Sequence, residues 1–234
     1  SGDLFRLYEG GDAYRPGERK DQFLERLGVG PGLVDPLELP FYVMLVGTPE
    51  QIPYSFQYQL DVMRGVGRLD FGSDVDAYDR YARAVVAAEG DAFSLPRRAA
   101  FFAPMNPGDK ATKLSAQYLV QPLYENLCQR IVGNDLALSH PWEVPTPLIG
   151  QDLATRASLE RLLGGDPAQM PTLLFAASHG IEFPAGHPGQ LRQQGALLCQ
   201  DWPGAWHEVA REHYFAGEDI ADGANLLGMM AFFF

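Results

Sequence analysis

His179 is the residue of this 234-residue chain that is best placed for general-base catalysis. It follows the apolar run Pro171–Ala177 after the single residue Ser178, and it precedes Gly180 and a loop rich in glycine and proline. A histidine at the carboxyl end of a buried strand can accept and return a proton near neutral pH. Gly180 has no side chain, which leaves its backbone N–H open to approach, as an oxyanion donor requires. The alternative is a histidine that only forms a hydrogen bond within a turn.

A catalytic histidine acts on a nucleophile, and the sequence offers no convincing one. Cys199 lies among apolar residues, which favours a buried and inert thiol over a nucleophile. Cys128 lies on the apolar stripe of a predicted helix and is expected in the core. Ser178 is adjacent to His179 in an extended segment, so its side chain should point to the opposite face. No serine has the Gly-x-Ser-x-Gly spacing of a nucleophile elbow.

The sequence carries no signal for a metal or a nucleotide cofactor. It has five histidines and two cysteines, and no His-x-x-x-His pair. Zinc sites need several such ligands at short spacing. The glycines of the segment 65–69 are only fragments of a phosphate-binding loop, and no Walker sequence is present. We therefore expect no cofactor.

The charge balance excludes some partners. The formal net charge is −12, so a duplex-DNA binder that relies on phosphate contacts is not expected. Residues 118–234 carry 5 basic and 13 acidic side chains, which favours cationic ligands or simply forms a solvated acidic surface. The longest apolar run, Leu226–Phe234, is too short to span a membrane. We expect a cytoplasmic protein.

Apolar runs bounded by turn residues predict the strands that would position His179. The first of these runs, Phe41–Val46, should form a strand that is buried on both faces, as in a parallel sheet. The predicted strands are Phe41–Val46, Arg98–Ala103, Val144–Ile149, Pro171–Ala177, Gln194–Gln200 and Leu226–Phe234. Helices are predicted at Asp21–Leu27, before the first strand, and between strands at Asp74–Glu89, Ser115–Ile131 and Asp152–Leu163. This alternation predicts an α/β fold with a mostly parallel sheet and helices on both faces.

Local signals refine this arrangement. Pro122 is expected to kink the helix that contains it. Gln151 or Asp152 is expected to cap the next helix, and alternating aromatic residues at 54–58 favour a short extended piece. We expect residues 1–38 to be a lead-in segment and residues 39–234 to form one α/β domain. The apolar run that stops at Phe234 is interpreted as an interrupted strand, because natural termini are usually polar.

Three segments together resemble a known family. They are Tyr42–Pro53, Val66–Leu69 and Leu173–Gly180, the last of which ends a strand in Ser-His-Gly. Over roughly residues 40–234 the chain resembles the caspase–haemoglobinase fold of clan CD cysteine peptidases. The resemblance is to gingipain-like and bacterial caspase-like (CHAT-like) proteins in particular.

The resemblance implies a cysteine endopeptidase with a Cys–His dyad and no cofactor. His179 would be the base, and the backbone N–H of Gly180 would contribute to the oxyanion hole. The nucleophilic cysteine would follow a strand like Leu226–Phe234 and so lie beyond Phe234, which implies that residues 1–234 are inactive alone. The implied partners are a peptide or protein substrate and a C-terminal portion or small subunit.

Specificity and alternatives complete these expectations. Cleavage after Arg or Lys and self-processing are expected by similarity to gingipains, and the acidic C-terminal half is compatible with a basic substrate. Asp61 is expected either to line the substrate pocket or to orient His179, the alternative being a surface carboxylate. Two other readings remain: a catalytically dead caspase-like regulatory or interaction domain, and an unrelated doubly wound domain that binds a small ligand.

Overall fold

The computed structural model describes residues 5–30, 35–90, 96–132, 142–164, 166, 169–224 and 226–234. The chain divides into two compact units, Ser1–Arg83 and Ala84–Phe234. The boundary expected between residues 38 and 39 falls inside the first unit. In the described part, no helix has the length and apolar character needed to cross a bilayer.

The first unit is built on a parallel pair of strands, β1 (Tyr42–Val46) and β2 (Gly65–Leu69). Helix α1 (Lys20–Arg26) precedes β1, and helix α2 (Tyr54–Asp61) connects β1 to β2. Helix α3 (Val75–Glu89) follows β2 and includes the boundary between the two units. Leu45 packs against the buried aromatic rings of Phe23 and Phe56. The α1 and α3 predictions are confirmed, whereas residues 54–58 form a helix and not the extended piece that their alternation favoured.

The prediction that β1 is buried on both faces is wrong. Val43 and Leu45 face the core, but Tyr42 is 81% exposed and Val46 58% exposed on the opposite face. The strand therefore alternates, as a sheet covered on one side does. The partner strand β2 escaped prediction because glycines weaken a strand pattern. Here a side chain at Gly65 would lie 2.8 Å from Cδ1 of Tyr42, so the exposed tyrosine covers the glycine.

The second unit contains a four-stranded parallel sheet in the order β4-β3-β5-β9. Its strands are β3 (Ala99–Ala103), β4 (Leu148–Ile149), β5 (Leu173–Ala176) and β9 (Met230–Phe233). All five residues of β3 are buried, which confirms the predicted buried strand. The mixed α/β class with mostly parallel strands is confirmed.

Helices cover both faces of this sheet, as predicted. Alternate residues of β3, Ala100 and Phe102, pack with Leu159 of α6 (Arg156–Leu163). The others, including Phe101, pack with Val120 on the opposite face. That second face is covered by one helical run formed by α4 (Lys110–Ser115), a π-helical segment (Ala116–Val120) and α5 (Gln121–Val132).

Two helix predictions need correction in detail. The helix containing Pro122 shows a π-helical turn just before the proline, with Gln121 N–H donating to Ala116 O. Proline lacks an N–H and so interrupts the regular ladder there. Helix α6 begins at Arg156 and is capped by Thr155, whose hydroxyl accepts from the Ser158 N–H at 3.2 Å. The expected caps at 151 and 152 lie instead in the turn that follows β4.

A small antiparallel sheet follows β5. It has the order β6-β7-β8, formed by β6 (Gly180–Ile181), β7 (Ala196–Leu198) and β8 (Tyr214–Phe215). The short helix α7 (Gln190–Gln193) lies between β6 and β7. Leu197 and Phe215 join the same core cluster as α6. This small sheet therefore packs on the parallel sheet and fixes the segment that follows β5.

Candidate functional site

The site lies where three parallel strands end. The segment after β3 leads to Asp109, the segment after β5 leads to His179, and β9 is followed by Phe234. Because β3, β5 and β9 are parallel neighbours, their carboxyl ends meet at one edge of the sheet. Ligand and catalytic sites of such sheets occur at this edge.

The backbone around His179 is held on both sides. Ser178 N–H donates to Phe234 O at 3.1 Å, and Leu198 N–H donates to His179 O at 3.0 Å. The Ser178 hydroxyl donates to Leu198 O. The serine side chain is thus used in backbone contacts, in line with the expectation that it is not the nucleophile. The imidazole of His179 remains 48% exposed.

Asp109 is the partner of His179. Its Oδ2 lies 2.6 Å from Nε2 of the histidine, and its Oδ1 accepts from the Ala111 N–H at 2.9 Å at the start of α4. The carboxylate is only 10% exposed. Burial raises the pKa of Asp109, but the hydrogen bonds from His179 and Ala111 outweigh it and the pKa is lowered from 3.8. Asp109 is therefore ionised at neutral pH and helps to hold the ring.

This contact assigns roles to the two ring nitrogens. An ionised carboxylate can only accept a hydrogen bond. In neutral His179 the proton is therefore on Nε2, which donates to Asp109. Nδ1 is then the basic nitrogen, and none of the described residues forms a hydrogen bond with it. An oriented imidazole with one free basic nitrogen at a solvent-accessible position is the arrangement that a general base needs.

Asn106 fixes the loop that carries Asp109. It is fully buried, and its side-chain amide donates to Cys199 O at 2.9 Å and to Trp202 O at 3.2 Å. The backbone carbonyl of Asn106 accepts a hydrogen bond from the Asp109 N–H at 3.2 Å. The loop after β3, which includes Asp109, is thus joined to the loop after β7. Within the described residues Oδ1 of Asn106 has no partner.

The backbone N–H of Gly180 is directed away from its neighbouring strand. Leu198 N–H donates to His179 O, so His179 and Leu198 form a hydrogen-bonded pair of the antiparallel ladder. The next pair, Gly180 and Leu197, is then a non-hydrogen-bonded one. Gly180 is exposed. Its N–H is therefore not used in the ladder between β6 and β7.

The cysteines do not supply a nucleophile at this edge. Cys199 is fully buried, and its thiol contacts Leu197 O at 3.3 Å. Burial raises the pKa of the Cys199 thiol to about 12, so the reactive thiolate is not formed near neutral pH. The expectation of a buried thiol is confirmed. Cys128 is a half-buried residue of α5.

Asp61 belongs to the first unit and ends α2. Its carboxylate accepts from the Val66 N–H at 3.2 Å, which ties the end of α2 to β2. The residue that orients His179 is Asp109. A contact between Asp61 and a substrate stays a prediction.

Sequence reasoning missed Asp109 and Asn106. The available signal was the polar turn Asn-Pro-Gly-Asp, which comes just after the buried strand β3 and before a helix. Polar residues at the carboxyl ends of two buried strands share one sheet edge. No group of three or more His, Cys, Asp or Glu side chains suited to a metal ion is found among the described residues.

Comparison with known proteins adds no relative. No family model, no curated protein and no solved structure matches this chain.

Proposed function

We propose that this chain carries the base and oxyanion elements of a cysteine endopeptidase of the caspase and gingipain type. His179 acts as the base, Asp109 orients it, and the Gly180 N–H stabilises the developing oxyanion. The nucleophile is a cysteine of the full-length gene product located just beyond Phe234. This proposal rests on the resemblance and on the geometry at one sheet edge.

One observation carries the proposal. Phe234 O accepts from the Ser178 N–H at 3.1 Å, and Phe234 N–H donates to Ala176 O at 2.9 Å. The carboxyl end of β9 therefore runs beside the residue that precedes His179. A residue that continues this strand by one or two positions would pair with the segment of Ser178 and His179, which supports a thiol at the position that a dyad needs.

The chemistry follows from these positions. Nδ1 of His179 accepts the thiol proton, and the sulfur forms a bond to the carbonyl carbon of the scissile peptide. The oxyanion accepts a hydrogen bond from Gly180 while His179 gives the proton to the leaving amine, and the C–N bond breaks. Water then attacks the thioester, His179 accepts a proton from that water, and the cysteine is released as the acid product forms.

The substrate is proposed to be a peptide or protein cleaved after Arg or Lys, and self-processing is part of the proposal. The excess of acidic side chains in residues 118–234 supports a basic substrate. Asp61 is retained as a candidate substrate contact. A location in the cytoplasm is also part of the proposal.

A second function has one observation in its favour. Neither cysteine of residues 1–234 is a usable nucleophile at the His179 edge: Cys199 is buried, and Cys128 lies on α5. If no cysteine follows Phe234, the chain is a catalytically dead caspase-like regulatory or interaction domain, and the His179–Asp109 contact is structural.

The deciding experiment uses the full-length gene product. Reading the residues after Phe234 and measuring intact masses of all chains in the preparation shows whether a cysteine is present and whether processing occurs. Cleavage of a P1 peptide library is then compared between the wild type and His179→Ala. Loss of cleavage with an unchanged circular dichroism spectrum supports the dyad. Absence of a following cysteine, or full activity of the variant, overturns it, and preference for Asp at P1 overturns the basic specificity.

A further inference from the structure

Trp206 is an exposed aromatic residue on a loop that is firmly held. Its side chain is 86% exposed, although it lies between two anchored residues. Ala205 N–H donates to Pro107 O at 3.0 Å, and His207 N–H donates to Gly204 O at 3.0 Å. The buried Trp202 donates from Nε1 to His207 O at 3.0 Å. The backbone that presents the indole is thus fixed before any ligand binds.

Two glycines bring this loop against the loop of Asp109. Gly204 has φ +116° and packs so closely on Pro107 O that a side chain has no room. A methyl group at Gly108 would lie 3.1 Å from Nε1 of Trp206. The indole therefore rests directly on the backbone of the residue that precedes Asp109.

This contact places the indole near the His179 imidazole. Asp109 follows Gly108 and binds His179 at 2.6 Å. From bond lengths and these contacts, the indole lies at most about 15 Å from the imidazole. An extended peptide advances about 3.3 Å per residue, so this distance corresponds to about four positions of a bound substrate.

The two loops beside the indole carry both apolar and charged residues. Pro107, Pro203 and Ala205 are exposed there, and so are Asp201 and Glu208. A single exposed apolar residue is common on protein surfaces. Here, however, the ring is carried by an anchored backbone and packs on Gly108, the residue before the aspartate that binds His179. Such a surface binds an apolar side chain with little loss of conformational freedom.

We propose that Trp206 is a specificity-determining residue that binds a bulky apolar or aromatic side chain of the peptide substrate, within about four positions of the scissile bond. The proposal rests on the proposed endopeptidase function and adds a subsite to it. The side chain it binds is distinct from the residue at P1.

The test compares peptides that differ at one position. Fluorogenic peptides with Arg fixed at P1 carry either Phe or Ala at each of the other positions from P4 to P4′, and the full-length gene product is assayed. The wild type should prefer Phe at one position, and Trp206→Ala should lower kcat/KM for that peptide by about tenfold. The Ala peptide should be cleaved equally by both proteins. Trp206→Phe should keep the preference. Tyr118→Ala, which removes an exposed aromatic ring from the π-helical segment, should leave the preference unchanged.

A binding measurement separates failure of this inference from failure of the proposed function. Peptide affinity is measured by fluorescence anisotropy on His179→Ala, with and without Trp206→Ala. Weaker binding of only the Phe peptide in the double variant supports the subsite, even if no cleavage is ever observed. Equal binding and an unchanged cleavage profile overturn the subsite and leave the endopeptidase proposal standing. No binding of either peptide, together with no cleavage, overturns both.

Discussion

Nε2 of His179 lies 2.6 Å from Oδ2 of Asp109, two residues that are 70 positions apart in the chain. The carboxylate is nearly buried and the imidazole is half exposed. The aspartate also accepts from the Ala111 N–H and so caps α4. One side chain therefore links the start of a helix to the candidate base.

Asp109→Asn should separate the two roles of this carboxylate. Asparagine also caps helices well, so the fold should be preserved. The neutral amide no longer selects the ring tautomer in which Nδ1 is basic, and kcat of the full-length gene product should fall about 10²- to 10⁴-fold with little change in KM. Steady-state peptide cleavage measures this. Asp222→Asn, an exposed carboxylate, is the control, and an unchanged kcat in Asp109→Asn would show that the contact is only structural.

The lowered pKa of Asp109 predicts a pH dependence of stability. Its pKa in the folded protein lies below the ordinary value of 3.8, so the ionised form is stabilised by folding. That contribution is present above the unfolded pKa and is lost as the pH falls through the folded pKa. The difference in Tm between the wild type and Asp109→Asn should therefore shrink as the pH is lowered from about 5 to below 3.8. Thermal melts across this range measure it, and a difference that grows on acidification would contradict the assignment.

Asn106→Ala should destabilise the second unit and weaken the site. The change removes the hydrogen bonds to Cys199 O and Trp202 O from a fully buried position. We expect a loss of about 2–3 kcal/mol in the free energy of unfolding, measured by urea denaturation. Gln117→Ala, at an exposed position of the π-helical segment, is the control and should change stability by less than about 0.5 kcal/mol. Equal effects of the two variants would show that Asn106 does not hold the loops together.

Cys199 should be unreactive in the folded protein. Its thiol is fully buried, and its pKa of about 12 leaves almost no thiolate near neutral pH. A thiol reagent should modify Cys199 only after unfolding in guanidinium, while the half-buried Cys128 reacts earlier. Peptide mapping by mass spectrometry distinguishes the two sites. Cys199→Ala should retain the peptide cleavage of the full-length gene product, and its loss in a folded variant would identify Cys199 as a participant.

Continuous apolar runs were sufficient to predict the core of the parallel sheet. In β3 and β5 the local pattern agrees with the environment, because both strands lie inside the sheet between packed layers. The position of His179 followed from the same pattern, since a residue after such a strand must reach the carboxyl edge. Thr155 was missed as the cap of α6 because a turn after β4 delays the helix start by four residues.

Other features depend on contacts that are distant in sequence. The apolar letters of β1 do not reveal that Tyr42 and Val46 face outward, because exposure depends on what covers a strand. Asp109 reads as a simple helix cap until the sheet places it beside His179. The sequence by itself determined β1, β3, β5, β9, the longer helices and the candidate base, since hydrophobic periodicity acts locally. Only the tertiary structure decided the partner of that base, the anchored loop of Trp206 and the run of β9 beside Ser178, because strand order sets these neighbours.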